Sequence, residues 1–254
     1  MPVNMNNNGA SLKAAAYMDA HRINLERAMG KLSSGSRVQN AGDDAAAAGI
    51  ASKLLGQAKA FEQSALNAKA GIAMASTADA ALVEIQNMAV RIQELAVQVA
   101  SGQFTSADQA NATAEITALN TEIARIAGAA TFNTQTLSSG TFSLAISGND
   151  TATAFSFPSI PTSAGTTASG AVTALGTIAT ARGTLGAFVN RLEYAVNSLN
   201  AQAANTQIAY SIMGDADMAK ESAAVAKGQV LMQASAAVLA QANATPQYTL
   251  MFLQ

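Results

Sequence analysis

Few residues in this chain of 254 residues could do chemistry. Its close aspartate pairs are Asp43-Asp44 and Asp215-Ala216-Asp217. Two carboxylates work as acid and base when they face each other across a substrate, whereas neighbouring ones at helix starts usually bind backbone N–H groups. Both pairs stand at the start of a predicted helix. We therefore predict that these carboxylates cap the helices and that their negative charge is stabilised at the positive N-terminal end of the helix dipole.

The remaining polar groups also lack the partners that catalysis needs. His21 is the single histidine, lies on a predicted polar helix face and has no Ser or Cys partner, so we predict a surface residue. Ser33-Ser34-Gly35-Ser36 is not followed by the Lys and Ser/Thr of a phosphate-binding loop. With no Cys and one His, the usual metal-ligand sets cannot form. We therefore predict no enzyme activity and no cofactor.

The composition favours a helical chain that packs against another surface. Charged residues are 12% and hydrophobic residues 50% of the chain, which contains 60 alanines. A net charge of −2 and 5% aromatic residues give no basic, base-stacking footprint, so we predict no nucleic-acid partner. No stretch of about 18 residues is purely apolar and the N-terminus is polar, which predicts no membrane insertion and no cleavable signal peptide. Composition alone would favour the cytoplasm.

Long helices must carry most of the chain. Apolar residues at steps of three, four and seven run from Ile50 to Val99, which is the pattern of a coiled-coil helix about 75 Å long. A shorter helix is predicted over 106–129, and another resumes near Val172. Between them, residues 141–146 alternate polar and apolar side chains, 147–150 form a turn and 153–157 return, which predicts a β-hairpin.

The C-terminal segment has an unusual pattern. No charged residue follows Lys227, and apolar side chains surround the predicted helix 216–244 on all sides. A helix of this kind is normally buried all round, which a monomer of this size could not provide. We infer that other copies of the chain bury it and that the N-terminal helix pairs with it. The interface candidates are Leu12, Met18, Leu25, Leu32, Val230, Leu231, Met232, Val238 and Leu239.

Several blocks of sequence closely resemble bacterial flagellin. They are ERAMGKLSSGSRVQNAGDDAAAAGIA at 26–51, NAKAGIAMASTADAALVEIQNMAVRIQELAVQVASG at 67–102, AEITALNTEIARIAGAATFN at 114–133, TLGAFVNRLEYAVNSL at 184–199 and VLAQANATPQYTLMFLQ at 238–254. Blocks at both ends in the same order make the resemblance specific. About fifty residues separate Asn133 from Thr184, which predicts a short form without the large variable outer domains and a thin, smooth filament.

The resemblance implies the fold and the polymer. The fold is mainly α, a long coiled-coil-like helical rod with one small β-hairpin, and the terminal helices pair as an inner coiled coil. It implies two domains, a channel-lining inner domain of 1–42 plus 215–254 and a rod domain of 43–214 with a β-hairpin at about 140–158. The implied function is a structural subunit that polymerises into the flagellar filament for swimming. We expect the termini to be disordered before assembly.

The resemblance also implies partners and a location. Flagellins leave the cell through the flagellar type III export apparatus with an export chaperone, and the filament meets hook-associated and filament-cap proteins. The expected location is therefore the extracellular flagellar filament, which replaces the cytoplasmic expectation from composition. An animal Toll-like receptor recognises a motif in this family, and Arg91, Leu95 and Glu115 match it, although the second Arg of the motif is Gln93 here.

Two other functions remain open from the sequence. A hook–filament junction protein shares the terminal helices but does not form long polymers. A surface adhesin would use the Ser/Thr/Gly-rich segment 134–170, whose aromatic residues Phe142, Phe155 and Phe157 the alternation places in a hairpin core instead. Self-assembly into long filaments discriminates the leading function from both alternatives.

Overall fold

The computed structural model describes residues 8–138, 140–147 and 152–251, with the side chains of 152 and 246–251 left out. It is mainly helical, as predicted. Its helices are α1 (Gly9–Ser34), α2 (Ala45–Ala100), α3 (Ser106–Ala129), α4 (Ala168–Gly214) and α5 (Met218–Met251). Its strands are β1 (Thr131–Phe132), β2 (Gln135–Thr136), β3 (Gly140–Ala145) and β4 (Ala152–Phe157).

The described chain forms two compact units. Unit 1 holds the residues up to Leu55 and from Gln207 onwards, and unit 2 holds Gly56–Thr206. The first part of the polar N-terminus is residues 1–7, and the predicted hairpin turn falls largely on 148–150. Both segments lie outside the described residues.

Unit 2 is organised around the predicted apolar stripe of α2. Leu82, Ile85 and Ile92 are at most 1% exposed, and they share one core with α3 and α4 residues such as Ile123 and Leu185. Alanines alternate with these large residues along the stripe, so neighbouring helices can approach closely. The stripe does not extend through Ile50, which is 45% exposed; Ala47 and Ala51 are the buried residues there.

A polar contact between helices fixes how α2 and α4 align in unit 2. Arg182 Nε donates to Asp79 Oδ1 at 2.8 Å, and its Nη1 donates to Gln86 Oε1 at 2.9 Å. The hydrogen bond to Asp79 and the charge of that carboxylate raise the pKa of Arg182 above its ordinary value. A one-turn slip of α4 along α2 would break both contacts.

The predicted β-hairpin is present. Strands β3 and β4 pair antiparallel, with Phe142 opposite Phe155. Phe157 is buried and meets Phe142 edge-on at 5.1 Å, while Phe155 stacks on Phe188 of α4. The alternation therefore places these rings in a core, as the sequence indicates, and they do not form an open aromatic platform.

A second strand pair was not predicted. Strands β1 and β2 pair antiparallel, with Thr131 opposite Thr136. The turn between them has Asn133 and Thr134 at φ 49° and 66°. Two consecutive residues in the left-handed region are typical of a tight two-residue hairpin turn. Thr rarely takes this conformation, and it stands here in place of the Gly of the usual Asn-Gly turn, so the sequence carries no signal for this hairpin.

Unit 1 contains the terminal helices, which pack against each other as the resemblance implied. Both are already helical in the single chain, whereas we expected disorder before assembly. Their mutual packing gives each helix a partner. The burial is slight, however: α1 buries only Ala14 and Ala28 fully, and the only fully buried residue of α5 among those with described side chains is Gly228.

By length and composition, two helices could cross a membrane. They are α4 and the Met218–Thr245 part of α5, whose most apolar windows have mean hydropathies of 1.2 and 1.3. The core helices of soluble proteins pass the same test, and α4 supplies buried residues to the core of unit 2. Helix α5 packs against α1 within unit 1.

Candidate functional site

The contact between α1 and α5, which we call the terminal seam, is the main candidate site. Its positions are buried or half-buried and recur at steps of three and four residues, as in a coiled coil. They are Ser11, Ala14, Met18, His21, Leu25, Ala28 and Leu32 on α1, and Glu221, Val225, Gly228, Met232, Ser235, Leu239 and Ala242 on α5.

The two helices run antiparallel along the seam. Asn8 Nδ2 donates to the carbonyl oxygen of Ala242 at 2.8 Å, close to one end. Near the middle, a Cβ added to Gly228 would lie 3.1 Å from Leu25 Cδ1 and 3.3 Å from Leu25 Cβ. At the other end, the backbone N–H of Ala216 donates to the carbonyl of Gly35 at 2.8 Å. The missing side chain of Gly228 thus lets the two backbones approach closely.

The structure corrects the position of His21. We predicted a surface residue on a polar face, but His21 is half-buried on the seam face of α1, between Met18 and Leu25. The side of α1 that packs against α5 includes polar as well as apolar residues. Hydrophobic periodicity alone therefore assigned His21 to the wrong face of α1. The described residues contain no cluster of three or more potential metal ligands.

The nine interface candidates divide into two groups by exposure. Six are half-buried in unit 1: Met18, Leu25, Leu32, Leu231, Met232 and Leu239. The other three remain open to solvent, with Leu12 62%, Val230 64% and Val238 58% exposed. The first group is thus engaged within one chain, while the second is available to other chains.

Further exposed apolar residues lie outside the nine interface candidates. Ile208 and Ile212 lie four residues apart on α4 and are 59% and 71% exposed, while Tyr194 is 78% exposed. On α2, Val90 and Val97 stand seven residues apart and are also exposed. The seven-residue spacing of the valines could have shown a second helix face, but the stronger core stripe on the same helix hid it.

The aspartate pairs act as predicted at two positions. Asp44 Oδ1 accepts a hydrogen bond from the backbone N–H of Ala47 at the start of α2. Asp217 Oδ1 accepts from the N–H groups of Ala219 and Lys220 and so caps α5. Asp215, the other member of this pair, instead accepts from Ser211 Oγ. These carboxylates hold helix ends and loops, which confirms the capping prediction for Asp44 and Asp217.

The three receptor-motif residues lie together in unit 2. Arg91 Nε on α2 donates to Glu115 Oε1 on α3 at 3.0 Å, and Arg91 also pairs with Glu94. The hydrogen bond to Glu115, followed by that to Glu94, raises the pKa of Arg91 above its ordinary value. Leu95 is only 3% exposed, but it contributes to the wall of an open groove of about 440 Å³ that Arg91 and Glu115 also line.

Comparison with known proteins identifies the family of this chain. Residues 5–143 match the bacterial flagellin N-terminal helical region, and residues 169–253 match the bacterial flagellin C-terminal helical region. A flagellin of Halalkalibacterium halodurans is 37% identical, over 93% of this chain and 97% of the relative. The chain belongs to the flagellin family.

Two other flagellin relatives agree over almost the full length. The flagellar filament 33 kDa core protein of Treponema phagedenis is 33% identical and the flagellin of Bacillus subtilis 30% identical. Each comparison covers 98% of this chain and 99% of the relative. The length of the chain fits a short form of the family without an outer domain, as predicted from the sequence. Residues 144–168, between the two matched regions, contain β4 and the loop before α4.

Proposed function

We propose that this flagellin works as a structural subunit that polymerises into the bacterial flagellar filament through α1 and α5. The chain is a filament subunit by family, in agreement with the sequence prediction. The observation that supports this route of assembly is the state of α5, whose apolar residues Val230 and Val238 remain more than half exposed although α1 is already bound to it. Neighbouring subunits would cover these side chains.

Burial of apolar surface drives the assembly. Each large aliphatic side chain moved from water into an interface contributes about 1.5–3 kcal/mol. Leu12, Val230 and Val238 are 58–64% exposed, so each offers a part of this gain in every subunit. Assembly must still offset the entropy of ordering long terminal helices. Because no charged residue follows Lys227, few ions need to be desolvated when α5 packs between neighbours.

The domain roles follow from this mode of assembly. Residues 1–42 and 215–254 form the inner domain that lines the filament channel, and residues 43–214 form the surrounding rod. Unit 2 supports the rod role because α2, α3 and α4 share one extensive core there. Without outer domains, the filament is thin and smooth.

We also propose an export route, a location and further partners for the subunit. It is secreted through the flagellar type III export apparatus with the help of an export chaperone, and it functions in the extracellular filament. Hook-associated proteins and the filament cap are its partners at the two ends of the polymer. The slight burial in the terminal seam suits this route, since α1 and α5 can separate at low cost for passage through a channel.

Assembly of purified protein tests the proposed function directly. Concentrated protein should form long filaments that negative-stain electron microscopy can resolve. A hook–filament junction protein would give short oligomers, and an adhesin would stay monomeric. Either of those two outcomes would reject the proposal. The near-complete coverage of flagellin relatives favours neither alternative.

Hydrogen exchange on the monomer provides a separate prediction. Amide protons of α1 and α5 should be at least about 100-fold less protected than those around Leu82 and Ile92, because local opening is easiest where few large side chains are buried. Mass spectrometry of peptides from both units measures the ratio. In the polymer, α1 and α5 should gain protection. Strong protection of these helices before assembly would contradict the proposed role of subunit contacts.

The receptor motif leads to a second prediction. We expect purified monomer to activate the animal Toll-like receptor for flagellin in a reporter cell assay, and Arg91→Ala to lower its potency at least about tenfold. Arg91 presents its guanidinium beside Glu115 on an exposed surface, while Leu95 is reached only through the groove. Arg125→Ala, which breaks the exposed pair with Glu122 elsewhere on α3, is the control. If the wild-type monomer gave no reporter signal, the proposed recognition by the receptor would be rejected.

A further inference from the structure

Two methionines occupy the middle of the terminal seam. Met18 on α1 and Met232 on α5 are both half-buried seam residues. Since Leu25 packs at Gly228 and the helices are antiparallel, the 3–4 spacing aligns residue 21 with Met232 and Met18 with Ser235. The two thioethers therefore lie in adjacent layers of the seam, one on each helix.

These methionines supply much of the apolar contact that holds the seam. The positions around them are small, with Ala14, Ala28, Gly228, Ser235 and Ala242 contributing little side-chain area. The large apolar seam residues are Met18, Leu25, Leu32, Val225, Met232 and Leu239. A change that made both methionines polar would remove two of these six and place the polar groups in neighbouring layers.

We propose that Met18 and Met232 form an oxidation site that controls the terminal seam, and that hydrogen peroxide is its oxidant. At each sulfur, one peroxide oxygen forms an S=O bond while the O–O bond breaks. The sulfur is oxidised by two electrons and the peroxide is reduced to water. The resulting sulfoxides are polar and force α1 and α5 apart. Methionine sulfoxide reductases reverse the change with a dithiol as reductant, which becomes a disulfide as the sulfoxide oxygen leaves as water. The consequence for assembly rests on the proposed function.

The position of each sulfur decides which oxidation matters. The chain has no Cys, so its thioethers are the most readily oxidised side chains. Met29, Met213 and Met218 are 36–51% exposed, so their oxidation adds a polar group that water can solvate. Met74 is 7% exposed in the core of unit 2 and is shielded. Met88 is half-buried too, but it packs against the core of unit 2 and lies outside the seam. Met18 and Met232 combine partial exposure with a position in the terminal seam.

Mild peroxide treatment of the full-length monomer tests the site. Peptide mass mapping measures sulfoxide at each methionine, and sedimentation measures the critical concentration for polymerisation. We expect oxidation of Met18 and Met232 to raise that concentration at least tenfold, and reductase treatment to restore it. The variant Met18→Leu/Met232→Leu conserves volume, and peroxide should not change its critical concentration from that variant's own untreated value. The matched control Met29→Leu/Met218→Leu should lose polymerisation as the wild type does.

A sulfoxide mimic keeps the test decisive if the leucine variant assembles poorly. Met18→Gln/Met232→Gln should fail to polymerise without peroxide, while a cooperative thermal unfolding transition, as expected from the core of unit 2, persists. The proposal is overturned if oxidised wild type or the glutamine variant polymerises normally, or if peroxide converts Met29 while Met18 and Met232 stay reduced. Untreated wild type that forms no filaments would instead reject the proposed function, which separates the two failures.

Discussion

Deletion of residues 228–254 is expected to abolish filament formation and to leave unit 2 folded. The deletion removes Gly228, Met232 and Leu239 from the terminal seam, so most of α1 loses its partner. It also removes Val230 and Val238, the exposed side chains assigned to contacts between subunits. Unit 2 keeps its own core because none of its residues lies in the deleted segment.

Sedimentation and negative-stain microscopy measure the loss of polymer, and thermal unfolding followed by circular dichroism measures the integrity of unit 2. Wild-type protein at concentrations above its critical concentration should pellet, whereas the truncated chain should stay in the supernatant at concentrations at least about tenfold higher. Its unfolding transition for α2–α4 should remain cooperative. Normal filaments from the truncated chain would show that subunits contact each other elsewhere.

Matched point variants test whether the loss of one apolar side chain on α5 weakens polymerisation without deletion of the whole segment. Val238→Ser on α5 and Val172→Ser on α4 change the same residue type at similar exposure, 58% and 53%. We expect only the α5 variant to raise the critical concentration for polymerisation, because Val238 lies on the proposed interface. Equal effects would indicate that exposed valines matter in general and that α5 has no special role.

Sequence pattern predicted the features that depend on regular spacing. The helix over 106–129 appears as α3, Ser106–Ala129, because Ile116 and Ile123 repeat at seven residues and both are buried. The hairpin followed from strict alternation through Phe142 and Leu144. In both cases, one face of a short element is buried against one core, and a single period describes it.

Other features depend on contacts that no local period describes. Helix α4 begins at Ala168 and not near Val172, because the Thr167 hydroxyl accepts from the N–H of Gly170 and caps it earlier. The Arg91–Glu115 pair joins residues 24 positions apart on two helices. Recognition of the family motif selected both residues, but their contact became visible only in the folded chain.

Replacing Leu82 by Ala is expected to destabilise unit 2 by about 3–5 kcal/mol. Leu82 is 0% exposed and lies in the middle of the α2 stripe, within the core shared by α2, α3 and α4. The cost combines lost burial with the cavity left behind, because long packed helices cannot collapse into it freely. A domain of this size should then melt about 6–20 °C lower.

Leu66→Ala is the matched control on the same helix of the same unit. Leu66 is 56% exposed, so its truncation leaves no cavity, and Ala favours helix at least as well as Leu. Its effect on the free energy of unfolding should stay within about 0.5 kcal/mol. Chemical denaturation of both monomers, followed by circular dichroism, measures the difference. Equal losses in the two variants would mean that α2 is not held by a packed core at Leu82, and the rod would then need contacts from neighbouring subunits to keep its fold.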